Sequence, residues 1–308
     1  MRINQKFYSL KLLKTFLKII AILNLSTFFN FDTTKAEEIL YVSAIPDQNP
    51  ERLNRLYKVL SSELSKELNV QVRYKPVINY AAAVTAFRTG NLDLVWFGGL
   101  TGVQARLQTE GAIVLAQRDI DEKFHSVFIA NKKSSLKKIN NIKELKSLRG
   151  KRFTFGSESS TSGRLMPQYY LNKVGVQLKD FKGGNPGFSG SHDSTLMLVQ
   201  SGSYEAGALN EQVWNSNLER GRVDKTKVFL IWKTPSYYDY HWLAQGNLDK
   251  KFSEGFTKEL RNVFLNFSKK SKNQKKILEL FGANKFIISE NKNYTKIEMI
   301  GREIGKIK

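Results

Sequence analysis

The sequence predicts an α/β fold with a mostly parallel sheet, built as two units that the chain joins by crossing twice. Short β-branched and apolar runs alternate with amphipathic stretches from residue 39 onward, which is typical of βαβ units. A polar connector of Lys, Ser and Asn follows Ala130 and separates a first α/β series from a second. The segment 234–246 then returns the chain to the first unit. We expect a cleft between two units that are connected in this way.

The order of strands and helices follows from hydrophobic spacing. The first strand is the apolar run 39–45, and leucines from Leu53 to Leu68 then recur at helical spacing. The first series continues with strands at 70–77, 92–97, 113–117 and 126–130 and helices at 80–88 and 100–108. The second series has helices at 142–148, 161–173, 193–201 and 211–219 and strands at 152–155, 204–209 and 227–232. We expect the chain beyond residue 246 to be mainly helical.

The first 36 residues are typical of a secretory signal peptide. Basic residues up to Lys18 precede an apolar run at 19–31, and Thr34-Lys35-Ala36 offers small residues for cleavage. The alternative is an uncleaved anchor, but Asn24 and other polar residues interrupt the apolar run, which is short for a membrane span. We therefore expect an exported, periplasmic protein.

Composition excludes several kinds of chemistry. Cysteine is absent, which excludes thiol catalysis, thiolate metal sites and a lipid-modified N-terminal cysteine. The three histidines, His125, His192 and His241, are widely spaced and form no metal-ligand pattern. We therefore expect no cofactor and no bound metal.

The chain is strongly basic, with a formal net charge of +21. The first 36 residues contribute +5 of this charge, so residues 37–308 carry +16. Many lysines lie beyond residue 249, where a nucleic-acid or anionic-membrane patch and a solvated helix face are the alternatives. The lysines are not interleaved with aromatic residues as a stacking surface would be, so we favour the solvated face and expect no nucleic-acid partner.

Residues 153–166 carry the clearest functional pattern. The run Phe153-Thr154-Phe155 ends at Gly156, and a Ser/Thr cluster at 159–162 leads into an amphipathic stretch. This order predicts a strand, a loop and a helix start, where free N–H groups and the helix dipole attract an anion. An ordinary N-cap is the alternative, but a cap requires only one hydroxyl.

Two further junctions resemble this one. Gly98-Gly99 follows the predicted strand 92–97, and the segment 188–195 combines Gly190 with Ser, His and Thr before an apolar helix. Ligands of open α/β sheets bind beyond the carboxyl ends of strands, at helix starts. Three such junctions in one chain indicate an oxyanion cleft.

The chain is similar to the substrate-binding proteins of phosphate, phosphite and phosphonate ABC importers. The motifs that carry this resemblance are Val42–Pro46, Asn79–Ala82, Asp93–Gly99, Ser160–Gly163, Gly190–Asp193 and Trp232–Tyr240. Several of them also resemble a branch of the family described as selenate binders. The resemblance implies the two-lobed type II periplasmic binding protein fold, which closes on its ligand around two hinge strands. The first lobe is then expected at 37–130 plus 236–308 and the second at 131–235.

The resemblance also implies the ligand-binding residues. They are Tyr80, Phe97, Ser160, Thr161, Ser162, His192, Tyr238 and Asp239. Tyr80 matches a tyrosine that donates its phenol to the ligand, and the loop 160–162 matches the one that grips the oxyanion. His192 matches a histidine at the opposite helix start. Asp239 matches a carboxylate that accepts a hydrogen bond from a protonated ligand oxygen.

Each of these roles has an alternative. The alternative for Tyr80 is that it simply packs in the core. The alternative for His192 is that it caps its helix without contacting the ligand. For Asp239 the alternative is an ion pair at the hinge, and for Tyr238 it is hinge packing. Asp193 is better explained as a dipole partner at its helix start than as a ligand contact.

Two departures from the family pattern narrow the ligand. Phe97 replaces the tyrosine of phosphonate binders, so one phenolic donor is lost. Gln212 falls near a glutamate that contacts the ligand in aminoalkylphosphonate binders, and a neutral residue is a poor partner for an ammonium group. A compact oxyanion such as phosphite, or a small phosphonate such as methylphosphonate, is therefore favoured, with phosphate and selenate as alternatives.

We expect a transport component and not an enzyme. Ser160, His192 and Asp239 are catalytic residue types, but the chain has neither a Gly-x-Ser-x-Gly elbow nor a carboxylate pair at recognisable spacing. The expected partners are a small oxyanion and the inner-membrane permease of an ABC importer, and we expect a monomer. A ligand-binding sensor subunit is the alternative that the sequence leaves open.

Overall fold

Two β-sheets organise the chain in the computed structural model, which describes residues 38–308. The predicted signal peptide lies outside the described residues. The strands are β1 (Ile39–Ala44), β2 (Gln71–Tyr74), β3 (Leu94–Phe97), β4 (Ile113–Arg118), β5 (Ser126–Asn131), β6 (Phe153–Phe155), β7 (Gly187–Phe188), β8 (Ala206–Asn210), β9 (Val228–Lys233), β10 (His241–Ala244) and β11 (Phe286–Ile288). The α-helices are α1 (Pro50–Leu68), α2 (Tyr80–Arg88), α3 (Gly99–Leu107), α4 (Met166–Lys173), α5 (His192–Ser201), α6 (Glu211–Glu219), α7 (Leu248–Lys251), α8 (Phe256–Leu265), α9 (Lys272–Phe281) and α10 (Thr295–Glu303).

The first sheet has six strands in the order β11-β4-β10-β3-β1-β2. Strand β1 pairs in parallel with β2 and β3, whereas β10 runs antiparallel between β3 and β4. Trp242 of β10 pairs with Trp96 of β3, and both rings are buried. We call this sheet and the helices packed on it the first lobe, residues 38–118 and 241–308.

The second sheet has five strands in the order β7-β6-β8-β5-β9. Strand β6 is parallel to β7 and β8, and β5 is antiparallel to β8 and β9. We call this sheet and its helices the second lobe, residues 126–233. The boundary expected at residue 130 is therefore wrong for 126–130, because these residues pair with β8 and β9 and not with the first sheet.

The two crossings between the lobes run side by side. The N–H of Phe124 donates to the Tyr237 carbonyl at 2.9 Å, and the N–H of Tyr237 donates back at 3.0 Å. The N–H of Asp239 donates to the Asp121 carbonyl at 3.1 Å. The chain thus leaves and re-enters the first lobe at one point.

The prediction of a mostly parallel sheet is wrong, because five of the nine strand pairings among the described residues are antiparallel. The segment expected as a plain crossing at 234–246 also contains an interior strand, β10.

Most other predicted elements are present, with local differences. Residues 142–148 form a 3₁₀-helix, and 161–165 form a π-helical turn before α4, in which the Leu165 N–H donates to the Ser160 carbonyl. The short strands β7 and β11 lie at sheet edges and were not predicted. Two or three residues are too few to show strand periodicity. In the part of the chain described, no helix is both long enough and apolar enough to span a bilayer.

Close packing beneath the second crossing requires a glycine in α3. A β-carbon on Gly102 would overlap Nε2 of His241. That imidazole cannot easily move, because it is buried, its centroid lies 4.0 Å from the Tyr294 ring, and its Nδ1 lies 3.1 Å from the Asp239 carbonyl.

We expect Gly102→Ala to destabilise the protein by about 2 to 3 kcal/mol, as overpacking of a buried contact does. Urea denaturation of the two proteins measures the difference. The exposed Gln108→Ala variant at the end of the same helix serves as the control. An equal stability of Gly102→Ala and wild type would contradict the packing described here.

Candidate functional site

Four helical segments begin at one place between the lobes. Their first residues are Tyr80, Gly99, Thr161 and His192. The Leu100 N–H at the start of α3 donates to Oγ1 of Thr161 at 2.9 Å, which joins the first lobe to the second. The N–H groups and dipoles at helix starts favour an anion at such a point.

The side chains at this point are polar and buried. They are Asp47, Tyr80, Ser160, Thr161, Ser162, His192, Asp239 and Tyr240, and we call them the polar seam. Glycines allow the seam to form: a β-carbon on Gly98 would lie 3.2 Å from Oγ1 of Thr161 and 3.3 Å from Oδ1 of Asp239. A β-carbon on Gly163 would lie 3.1 Å from Cε1 of His192.

Asp239 lies at the centre of the seam with one oxygen satisfied. Its Oδ1 accepts from the Gly99 N–H at 2.9 Å, whereas its Oδ2 has no hydrogen-bond partner among the described residues. Burial raises the pKa of Asp239 to about 7, and the charge of Asp121 adds to this effect. The predicted cleft carboxylate is therefore buried, partly unsatisfied and easily protonated.

Tyr80 supplies an unsatisfied donor to the same seam. Its hydroxyl is buried and lies near the Ser160 side chain, but it completes no hydrogen bond of good geometry among the described residues. Burial, together with the charge of Asp47, raises the pKa of Tyr80 well above its ordinary value, so the phenol keeps its proton. An unpaired buried hydroxyl is costly, and a ligand acceptor would satisfy it.

His192 is a neutral donor. Its Nδ1 accepts from the Asn210 N–H at 3.4 Å, which assigns the proton to Nε2. Burial lowers the pKa of His192 to about 4, so the ring is uncharged at neutral pH. Nε2 lies 3.3 Å from the Tyr240 hydroxyl.

The hydroxyl residues of the loop 160–162 have different structural roles. Oγ of Ser160 accepts from the Gly163 N–H at 2.9 Å, as an N-cap does, and Oγ1 of Thr161 bonds to the first lobe. Ser162 is buried beside Tyr237, whose hydroxyl lies 2.7 Å from Oγ of Ser126. The loop is thus both a helix cap and a contact between the lobes.

Two predicted ligand contacts, Phe97 and Tyr238, pack against aromatic rings. The Phe97 ring lies edge-on to Phe87 with centroids 5.8 Å apart in the first-lobe core. The Tyr238 ring is half-buried and lies edge-on to Tyr294 at 6.2 Å. Phe97 has no polar side-chain atom, so a contact of its ring with a ligand would be apolar.

Sequence reasoning did not select Asp47 and Tyr240 as ligand residues. The Tyr240 hydroxyl donates to Oδ2 of Asp47 at 2.9 Å and accepts from Nδ2 of Asn210 at 2.9 Å. Burial raises the pKa of Asp47 to about 6, against the hydrogen bond from Tyr240 and the charge of Arg118. The position of Asp47 just beyond the carboxyl end of β1 was the signal that could have identified it.

A buried ion pair supports these groups from behind. Arg118 donates to both carboxylate oxygens of Asp121 at 2.6 and 2.7 Å and to the Phe281 carbonyl at 2.8 Å. Its guanidinium carbon lies 4.9 Å from the Tyr240 ring centroid. Arg118 therefore braces Tyr240 without carrying a free charge into the seam.

A separate cleft of about 610 Å³ shares no residue with the seam. It is lined by Lys123, His125, Glu211, Gln212, Arg220 and others of mixed charge. Gln212 lies there against Gly282 of the first lobe and not beside Asp239. Among the described residues, no cluster of His, Asp and Glu could hold a metal ion.

Two α/β lobes, two adjacent crossings and a polar seam at converging helix starts define a two-lobed ligand-binding protein. Residues 42–294 match the family described as ABC transporter, phosphonate, periplasmic substrate-binding protein. The chain belongs to this family, and the predicted type II periplasmic binding protein fold is confirmed. Proteins of this family bind a substrate for a transporter, so the expectation of a binding protein and not an enzyme is also confirmed.

Several relatives are similar over most of the chain. A probable ABC transporter phosphite-binding protein of Prochlorococcus marinus is 58% identical over 271 residues, which cover 88% of this chain and 91% of that protein. The phosphonates-binding periplasmic protein of Escherichia coli is 27% identical, with 92% and 84% covered. The solved structure of the Prochlorococcus protein in complex with methylphosphonate matches with a TM-score of 0.85 over 88% of this chain and 99% of that one.

The raised pKa of Asp239 makes a prediction for the ligand-free protein. A carboxyl whose pKa is about 7 when folded and 3.8 otherwise stabilises the fold below pH 4, and this stability is lost as pH rises toward 7. We therefore compare the free energy of unfolding of Asp239→Asn with that of wild type. The difference should be more favourable to Asp239→Asn at pH 8 than at pH 5, by about 2 kcal/mol.

Denaturation at both pH values measures this gain. Asp249→Asn is the matched control, because its carboxyl is exposed and hydrogen bonds from Thr257 lower its pKa. Its offset from wild type should be the same at pH 5 and pH 8. A constant offset for Asp239→Asn as well would contradict the burial of an ionisable carboxyl there.

Proposed function

We propose that this chain captures phosphite or a small phosphonate such as methylphosphonate in the periplasm and delivers it to the permease of an ABC importer. The observation that carries this proposal is the pair of unsatisfied atoms in the polar seam, the Tyr80 hydroxyl and Oδ2 of Asp239. One is a donor and the other an acceptor, so the ligand they fit has both an oxyanion and an O–H group.

The helix starts favour the negative charge of such a ligand. Gly99, Thr161 and His192 begin helical segments at the seam, and no basic side chain is required to neutralise the anion. The Tyr80 phenol and the His192 Nε2–H add two neutral donors. A small oxyanion can accept from all of these groups at once.

Asp239 sets the requirement for a proton. A carboxylate repels a bare ligand oxygen but accepts a hydrogen bond from a P–OH group. Sulfate and selenate carry no such proton near neutral pH, so they would place two unpaired charges together. A phosphorus oxyanion that carries its own proton avoids this cost, because it supplies the O–H group that the Asp239 carboxylate accepts.

The substituent on phosphorus is proposed to be small and uncharged. Gln212 is neutral and lies in the separate cleft, so it offers no carboxylate to a ligand ammonium group. The similar Prochlorococcus protein binds methylphosphonate in its solved structure, and its identity of 58% supports a related ligand here.

The proposal extends to motion, export and assembly. Residues 119–125 and 234–240 would act as the hinge between the lobes, because they form the two adjacent crossings. The leader would be removed after Ala36, and the mature chain would act as a monomer that presents its closed form to the permease.

The ligand proposal predicts a ranking. We expect wild-type protein to bind phosphite or methylphosphonate at least a hundredfold more tightly than sulfate or selenate, because of the unpaired charges at Asp239. Asp239→Asn should weaken phosphite and phosphonate binding and narrow this gap. Calorimetry with phosphite, phosphate, methylphosphonate, aminoethylphosphonate, sulfate and selenate measures both effects. A wild-type preference for selenate would replace the proposed ligand with the selenate alternative.

Thr161 allows a second test. We expect Thr161→Ala to lower affinity about ten- to a hundredfold with the fold intact, since a hydrogen bond to a charged group contributes about 1.5 to 3 kcal/mol. Ser159→Ala removes a neighbouring hydroxyl for which no hydrogen bond to the first lobe is found among the described residues, and its affinity should match wild type. If Thr161→Ala binds as tightly as Ser159→Ala in calorimetry, this loop is not part of the site.

A further inference from the structure

The start of α5 touches the first lobe outside the polar seam. Oδ2 of Asp193 accepts from the Asn49 N–H at 2.8 Å, across 144 residues of chain. The neighbouring His192 N–H donates to the Asp47 carbonyl at 3.0 Å. Both bonds join the second lobe to the short segment between β1 and α1.

The Asp193 carboxylate is held in place and suited to this contact. Its Oδ1 accepts from Nδ2 of Asn217 at 3.0 Å, and the same amide donates to the Val213 carbonyl at 2.9 Å. Asn49 is the N-cap of α1, a helix of 19 residues, so the carboxylate lies at the positive end of that dipole. Asp193 also lies in the first turn of its own helix α5. One carboxylate thus serves two helix starts in different lobes.

We propose that Asp193 is a positioning residue for ligand binding, which latches the lobes together by capping α1 across the cleft. This proposal rests on the proposed function. The side chain of Asp193 contacts Asn49 and Asn217 and no group of the seam except through its neighbour. His192 presents its ring to the seam, and Asp193, one residue on, engages α1. Because both belong to one helical turn, the geometry that seats an anion against His192 also forms the latch.

The bond between Asp193 and Asn49 should affect affinity because it forms only when the lobes are closed. When the lobes separate, Asp193 can still serve its own helix, but its bond to Asn49 is lost. A contact present only in the closed form raises the affinity of every ligand that requires closure by the same factor. It slows dissociation more than it speeds association. Because the bond lies at an exposed edge, we expect a factor of about three to ten.

The first experiment compares binding kinetics of methylphosphonate and phosphite. Asp193→Ala should weaken both ligands three- to tenfold by faster dissociation, with their affinity ratio unchanged. A direct ligand contact would instead change that ratio. Asp249→Ala is the control, because its carboxylate accepts two backbone N–H bonds within the first lobe and should leave affinity unchanged.

A double-mutant cycle isolates the hydrogen bond. The φ angle of Asn49 is −56°, which proline adopts, so Asn49→Pro removes the N–H donor, whereas Asn49→Ala keeps it and loses only the side-chain cap. Asp193→Ala should cost affinity in the Asn49→Ala background and nothing in the Asn49→Pro background. Equal costs in both backgrounds would overturn the proposal.

A measurement of closure separates this proposal from the proposed function. The chain contains no cysteine, so cysteines introduced at exposed Lys66 and Lys179 accept one spin label in each lobe. Interlobe distances should show a smaller closed fraction in Asp193→Ala than in wild type, with or without ligand. Failure of wild type to bind either phosphorus anion would overturn the proposed function alone. An unchanged closed fraction in Asp193→Ala would overturn the latch.

Discussion

The buried ion pair between Arg118 and Asp121 is the interaction on which the site depends. Both side chains lie within the protein, so each charge is tolerated only because the other is hydrogen-bonded to it. The Asp121 carbonyl accepts the Asp239 N–H, and the Arg118 guanidinium lies against the Tyr240 ring. The pair therefore holds the second crossing against the first. It also positions two residues of the polar seam, Asp239 and Tyr240.

The seam, as the proposed ligand site, would bind an anion without a basic side chain. Charge is met by N–H groups at helix starts, which come from both lobes and align only when the lobes are together. The seam also contains two buried carboxyls, Asp47 and Asp239. Burial raises their pKa values to about 6 and about 7. Asp47 is satisfied by Tyr240, whereas Asp239 keeps one free oxygen. The proposed site is thus suited to discriminate ligands by their proton content as well as by their charge.

Much of this arrangement could be predicted from local pattern. The junctions at Gly98-Gly99, 160–163 and 190–193 mark helix starts because glycine and hydroxyl residues have strong local preferences there. The roles of Asp47 and Tyr240 depend on contacts between residues 193 positions apart, which no local pattern encodes. The same holds for β5, whose composition suits either lobe and whose place is decided by pairing with β8 and β9.

The adjacent crossings also impose an order on folding when the chain emerges N-terminus first. All strand pairs of the second sheet lie within residues 126–233, so that lobe is one uninterrupted segment of chain. The first sheet, by contrast, has β10 at its interior, between β3 and β4. It lacks this strand until residue 244 has emerged. The second lobe can therefore be complete while β3 and β4 of the first sheet are still unpaired with β10. When β10 arrives, it must pair with strands that are distant in sequence, and such non-local pairing is slow.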